Sequence, residues 1–105
     1  MDKIYKLEIL PSAQAELEEI ARLYMALSGP KYSRRITDRI YETLEQLTRF
    51  PLSGPAVPDA ELSSAGYRFI GVDKYLIIYR FFAETVVVYH IPHGATDYPK
   101  LFQTL

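Results

Sequence analysis

The chain of 105 residues contains no cysteine, so neither a disulfide framework nor a thiolate zinc site can be built from it. Nothing here requires an oxidising compartment. Its two histidines are too few for a structural metal centre of the usual kind. No apolar run approaches the roughly 20 residues needed to cross a bilayer, and Met1-Asp2-Lys3-Ile4 lacks a secretory pattern. The cytoplasm is the expected location. Also missing are a glycine-rich phosphate loop, a glutamate between paired histidines, a calcium loop, and a nucleophile elbow around Ser63-Ser64. Neither cofactor nor metal is expected. Charge is lacking as well: 12 basic residues face 13 acidic ones, for a formal net charge of −1. Proteins that grip phosphates show a basic excess or a basic face, so any such face has to arise here by local segregation.

The composition, 49% hydrophobic and 24% charged, is that of one globular domain covering residues 1–105. Ile4-Tyr5-Lys6-Leu7-Glu8-Ile9 alternates with period two and predicts a half-buried strand. Pro11 ends it, and Ser12 is placed to cap a helix. Ala13, Leu17, Ile20, Tyr24 and Leu27 then recur as a helical stripe, with Glu16, Glu18 and Glu19 near the positive end of the dipole. Ser28-Gly29-Pro30 breaks the helix, and a second stripe follows through Ile36, Ile40, Leu44 and Leu47 to Phe50-Pro51. Arg34 with Asp38 and Glu45 with Arg49 have ion-pair spacing. The two helices should form an antiparallel hairpin.

Prolines 51, 55 and 58 predict an ordered loop from Phe50 to Ala65, with a helical turn near Asp59 to Leu62. Strands are expected at Tyr67–Val72, Tyr75–Phe82 and Thr85–Ile91, joined at Asp73-Lys74 and Ala83-Glu84. Asp97 is placed to cap a short terminal helix carrying Leu101, Phe102 and Leu105. The fold class is α+β: an antiparallel sheet, made of the N-terminal strand and a C-terminal three-stranded meander, covered by the N-terminal helical hairpin.

Polar groups with chemical potential gather near the ends of these last strands. A metal-free ribonuclease needs a base for the ribose 2′-hydroxyl, an acid for the leaving oxygen and donors for the phosphorane. Arg68 is suited to clamp a phosphate, His93 and Tyr98 to share proton transfer, and Asp97 to orient His93. Each also has an ordinary reading. Arg68 can pair with Asp59 or Glu61, Arg80 can be a solvated strand residue, and His90 can be structural. His93 can be a turn residue and Asp97 a helix cap.

Ala13 and Leu17, Leu47…Phe50-Pro51, Gly66-Tyr67-Arg68, Tyr75-Leu76-Ile77-Ile78-Tyr79-Arg80 and His93-Gly94-Ala95-Thr96-Asp97-Tyr98 follow one another along nearly the whole chain. In that order they resemble the RelE/ParE toxin superfamily. The resemblance implies the toxin half of a bacterial type II toxin–antitoxin module, with a cognate antitoxin as partner in a hetero-oligomer and no role for a membrane. RelE-like members cleave messenger RNA on the ribosome, whereas ParE-like members inhibit DNA gyrase. RelE-like enzymes surround the cleaved phosphate with basic residues. Arg68 matches one such place, but Ile70 and Leu76 hold others, and Ala95-Thr96 lacks the arginines usual after the glycine. Losing those charges removes much of what would stabilise a phosphorane. The Tyr75–Arg80 run and the tail are similar to the ParE-like branch, so gyrase binding is the expected mode. The alternatives are ribosome-dependent RNA cleavage and a degenerate toxin that only binds antitoxin. Arg68, Lys74, Arg80, His93, Asp97 and Tyr98 are the expected target- or partner-binding residues; Arg68, His93 and Tyr98 would be catalytic in a ribonuclease.

Overall fold

Alternation stops after Ile9 because Pro11 already opens the first helix, where its missing amide donor costs nothing. In the computed structural model, which describes residues 3–103, strand β1 (Lys6–Ile9) leads into helices α1 (Pro11–Ser28) and α2 (Pro30–Arg49). A short helix α3 (Ala60–Ser64) precedes strands β2 (Arg68–Val72), β3 (Tyr75–Phe82) and β4 (Thr85–His90), and a 3₁₀ turn spans Tyr98–Phe102. Leu105 lies outside the described residues. No described helix is long and apolar enough to cross a membrane.

Ser12 is not the cap the sequence suggests. Leu10 holds that position, and the Ser12 hydroxyl instead donates to the Tyr89 carbonyl at 2.7 Å, tying the start of α1 to β4. Ala13, Leu17 and Ile20 are buried and Tyr24 is half-buried, but Leu27 is 73% exposed. The apolar stripe therefore outruns the core by a turn. Gly29 takes a φ of 89°, which favours glycine, and its amide closes α1 onto the Met25 and Tyr24 carbonyls. All four expected α2 positions, Ile36, Ile40, Leu44 and Leu47, are buried. Ser33 is buried too and donates to the Ala21 carbonyl across the hairpin at 2.8 Å. Neither expected ion pair along α2 closes among the described residues. Arg39 reaches Asp73 in the β2–β3 turn instead, at 3.0 Å.

The strand order is β1-β4-β3-β2. The meander is antiparallel as expected, but β1 lies parallel to β4, so the sheet is mixed. The direction follows from parity. The helical hairpin carries the chain back to where it began, the Tyr5 amide donating to the Thr48 carbonyl at 2.8 Å. Strand β2 consequently starts at the same end as β1. Two tight reversals later β4 shares that direction, and a parallel partner needs the long crossover that intervenes.

Both helices cover one face of the sheet, where Tyr75, Ile77, Tyr79, Val86 and Val88 join Leu17, Ile40 and Leu44 in the core. Asp59 caps α3, its carboxylate accepting from the Leu62 amide at 3.0 Å. The loop before α3 also shields the outer edge of β2, through Val57 N–H to Tyr67 and Phe69 N–H to Pro55. Truncating Leu44 to alanine should cost roughly 2–5 kcal/mol in urea denaturation. The same change at Leu27 should stay within about 0.5 kcal/mol.

Candidate functional site

Register decides which side chains can meet. Arg68 lies opposite Tyr79 in the β2–β3 ladder, so it shares the helix-covered side of the sheet with that tyrosine. There its guanidinium donates to the carbonyls of Gly54 at 2.7 Å and Leu52 at 3.4 Å. It reaches neither Asp59 nor Glu61. The Tyr79 hydroxyl serves the same loop, accepting from the Gly54 amide at 3.0 Å and donating to the buried Pro51 carbonyl at 2.8 Å. A Cβ at Gly54 would sit 2.4 Å from the Phe69 carbonyl oxygen, so only glycine permits this approach.

Arg80 follows Tyr79 and therefore points to the other side of the sheet. It is not a solvated strand residue. Its guanidinium carbon lies 4.9 Å from the Tyr67 ring, 4.8 Å from Phe82 and 5.0 Å from Tyr89. Its Nε also donates to the Tyr89 hydroxyl at 3.0 Å. Phe102 closes the cluster, 4.7 Å from the Tyr67 ring. Burial pushes the Tyr67 phenol above its ordinary value, although the nearby Arg80 charge opposes the shift.

His93 lies at the opposite end of β3, bridged to Tyr75, with its ring edge-on at 5.7 Å. Its Nδ1 accepts from the Ala95 amide at 3.0 Å, which in the neutral ring puts the proton on Nε2. Asp97 does not orient His93. It pairs with Lys100 at 3.6 Å, and no side-chain cap forms at the 3₁₀ turn. The Lys74 carbonyl accepts from the Gly94 amide at 2.7 Å, so Lys74 and His93 are neighbours at this end. Tyr98 folds over the open face, its hydroxyl accepting from the Asp59 amide at 3.0 Å. Beneath it is an apolar cavity of about 170 Å³ lined by Val57, Pro58, Phe69, Leu76 and Ile78. Ile70 faces the helices, packed against the core.

The six candidate residues thus fall into separate places. Lys74 and His93 share one end; Asp97 and Tyr98 belong to the tail over the open face. Arg80 is caged further along that face, and Arg68 is behind the sheet. Among the described residues no three His, Asp or Glu side chains gather as a metal set. One linking residue escapes a reading of the sequence: Glu16 accepts from the Ile91 amide at 2.7 Å and contacts His90 Nδ1 at 2.9 Å, joining α1 to the end of β4. The available signal was His90 itself, a polar ring between apolar neighbours that needs a partner.

The buried Tyr79 bonds have two measurable consequences. Tyr79→Phe would leave the Gly54 amide and Pro51 carbonyl unpaired and should cost about 1–3 kcal/mol in urea denaturation. Burial also raises the Tyr79 phenol above its ordinary value of 10.0, and does the same at Tyr75. A raised acid keeps its proton in the folded state while the unfolded chain ionises. That stabilisation is complete below pH 10 and falls away as pH rises past it. Denaturation midpoints should therefore drop on the alkaline side, less steeply in the Tyr79→Phe variant.

Two solved structures share the fold. One, described as the chromosomal ParDE toxin–antitoxin system of P. aeruginosa, superposes with a TM-score of 0.72 at 20% identity, covering 86% of this chain and 96% of its own. The other, the RelBE2 toxin–antitoxin complex of Mycobacterium tuberculosis, gives 0.66 at 24% identity, covering 91% and 100%. No curated protein sequence matches significantly. The family described as "ParE toxin of type II toxin-antitoxin system, parDE" matches residues 7–98, nearly the whole chain, which therefore belongs to the ParE toxin family of type II toxin–antitoxin systems.

Proposed function

We propose that this chain arrests bacterial growth by binding DNA gyrase, that a cognate antitoxin neutralises it in the cytoplasm, and that it does not cut RNA. The observation that carries the reading is the dispersal of the candidate groups. A metal-free ribonuclease must bring base, acid and cations within hydrogen-bond reach of one phosphate. Arg68 and His93 align with Tyr79 and Tyr75, four residues apart on β3. At 3.3 Å per residue that is about 13 Å. The Arg68 guanidinium is also occupied by loop carbonyls.

The sheet face away from the helices is apolar, with Phe69 and Leu76 half-buried and Ile78 buried beneath Tyr98. Such a surface suits adhesion to a protein better than stabilising a phosphorane. The descriptions of both solved relatives as toxin–antitoxin assemblies support an antitoxin as partner. On this reading Lys74, His93, Asp97 and Tyr98 lie where a partner can reach them.

Macromolecular labelling after induction separates the mechanisms. Gyrase binding should leave messenger RNA intact, induce a DNA-damage response and inhibit supercoiling by purified gyrase. Messenger cut in the ribosomal A site, with His93→Gln protective, would overturn the proposal in favour of cleavage. Normal growth alongside tight antitoxin binding would mark a degenerate toxin.

A further inference from the structure

Bulk neutrality conceals a segregated surface. Lys31, Arg34, Arg35 and Arg39 all stand exposed on the first half of α2. They flank an open groove of about 520 Å³ that ends at Glu42. Arg39 is paired with Asp73, and Arg35 lies 5.3 Å from the Tyr32 ring. Lys31, Arg34 and Arg35 have no ion-pair partner among the described residues.

Their position is electrostatically awkward. The first turn of α2 contains no acidic residue, and Asp38, Glu42 and Glu45 come only later. Positive charge thus sits at the positive end of the helix dipole, the reverse of the stabilising order. None of these cations is buried in the core. Local rules are broken in this way where a surface serves something besides stability.

We propose that this face of α2 docks an acidic segment of a partner protein. An incoming carboxylate would neutralise the unpaired cations and interact favourably with the dipole at once. The patch is short. Lys31 to Arg35 rises about 6 Å along the axis, at 1.5 Å per residue. Asp38 and Glu42 border it on the groove side. A nucleic-acid backbone continuing along the helix would run its phosphates into these carboxylates, whereas a peptide can place its acids only where cations wait. The docking surface is separate from the tail and stands whichever target the toxin inhibits.

Fluorescence anisotropy with a labelled oligoglutamate peptide and a labelled oligothymidylate tests this directly. Lys31→Gln/Arg34→Gln/Arg35→Gln should weaken peptide binding about tenfold at low salt. A control of equal charge change, Lys6→Gln/Arg22→Gln/Lys100→Gln, should bind as the wild type does. The Tm of the first variant should hold or rise, because cations opposed to the dipole have been removed. Equal weakening by the two variants, unchanged affinity in the first, a lowered Tm, or tighter binding of oligothymidylate than of peptide would each overturn the proposal.

Discussion

Between the helical half of the chain and its sheet lies a loop rich in proline that makes no regular ladder of its own, and the Tyr79 hydroxyl holds it. The phenol accepts from the Gly54 amide and donates to the Pro51 carbonyl at the same time. Because both bonds are buried, neither can be exchanged for water without cost. Gly54 lies so close to the Phe69 carbonyl that the loop has no room for a side chain there. Once this corner is set, the loop beyond it is led along β2, shielding an edge that would otherwise be open to another strand. Arg68 completes the same corner by donating to the Gly54 carbonyl. The cation that looks best placed for catalysis is thereby committed to the scaffold.

Much of this was legible in the chain. The stripes of α1 and α2, the Gly29-Pro30 break and the three strands of the meander all follow from periodicity and turn chemistry. The parallel β1–β4 pairing was not, because alternation in Ile4–Ile9 says which face is apolar but nothing about the neighbour's direction. That direction is fixed by where the helical hairpin returns the chain, a tertiary fact recorded in the contact between Tyr5 and Thr48. The Ser12 cap failed for a related reason. Its hydroxyl found a carbonyl on β4, distant in sequence, in place of a local amide.

The candidate site was legible in residue type and not in placement. Part of the placement was nonetheless within reach. A two-residue turn at Asp73-Lys74 pairs Val72 with Tyr75 and so Arg68 with Tyr79. Arg80, one residue on, must then face the other way. Two arginines that look like a pair in the sequence cannot converge on one ligand across a sheet. The carbonyls that capture Arg68 lie in a loop whose path no periodicity describes, and the cage around Arg80 draws Tyr67 from the segment before β2, with Phe102 of the tail packed on Tyr67 and Tyr89.

Both sheet arginines being engaged changes where electrostatics can act in this molecule. Arg80 is surrounded by three π faces and a phenol oxygen, and Arg68 by backbone carbonyls. Each is stabilised by dipoles and quadrupoles instead of carboxylates, so neither forms an ion pair among the described residues. On α2 the charges are segregated along the axis, since Lys31, Arg34 and Arg35 all precede Asp38, Glu42 and Glu45. A chain with almost no net charge therefore presents an apolar sheet face and a polarised helix as two distinct surfaces. On the proposed reading the first would be buried against a protein and the second would orient one on approach.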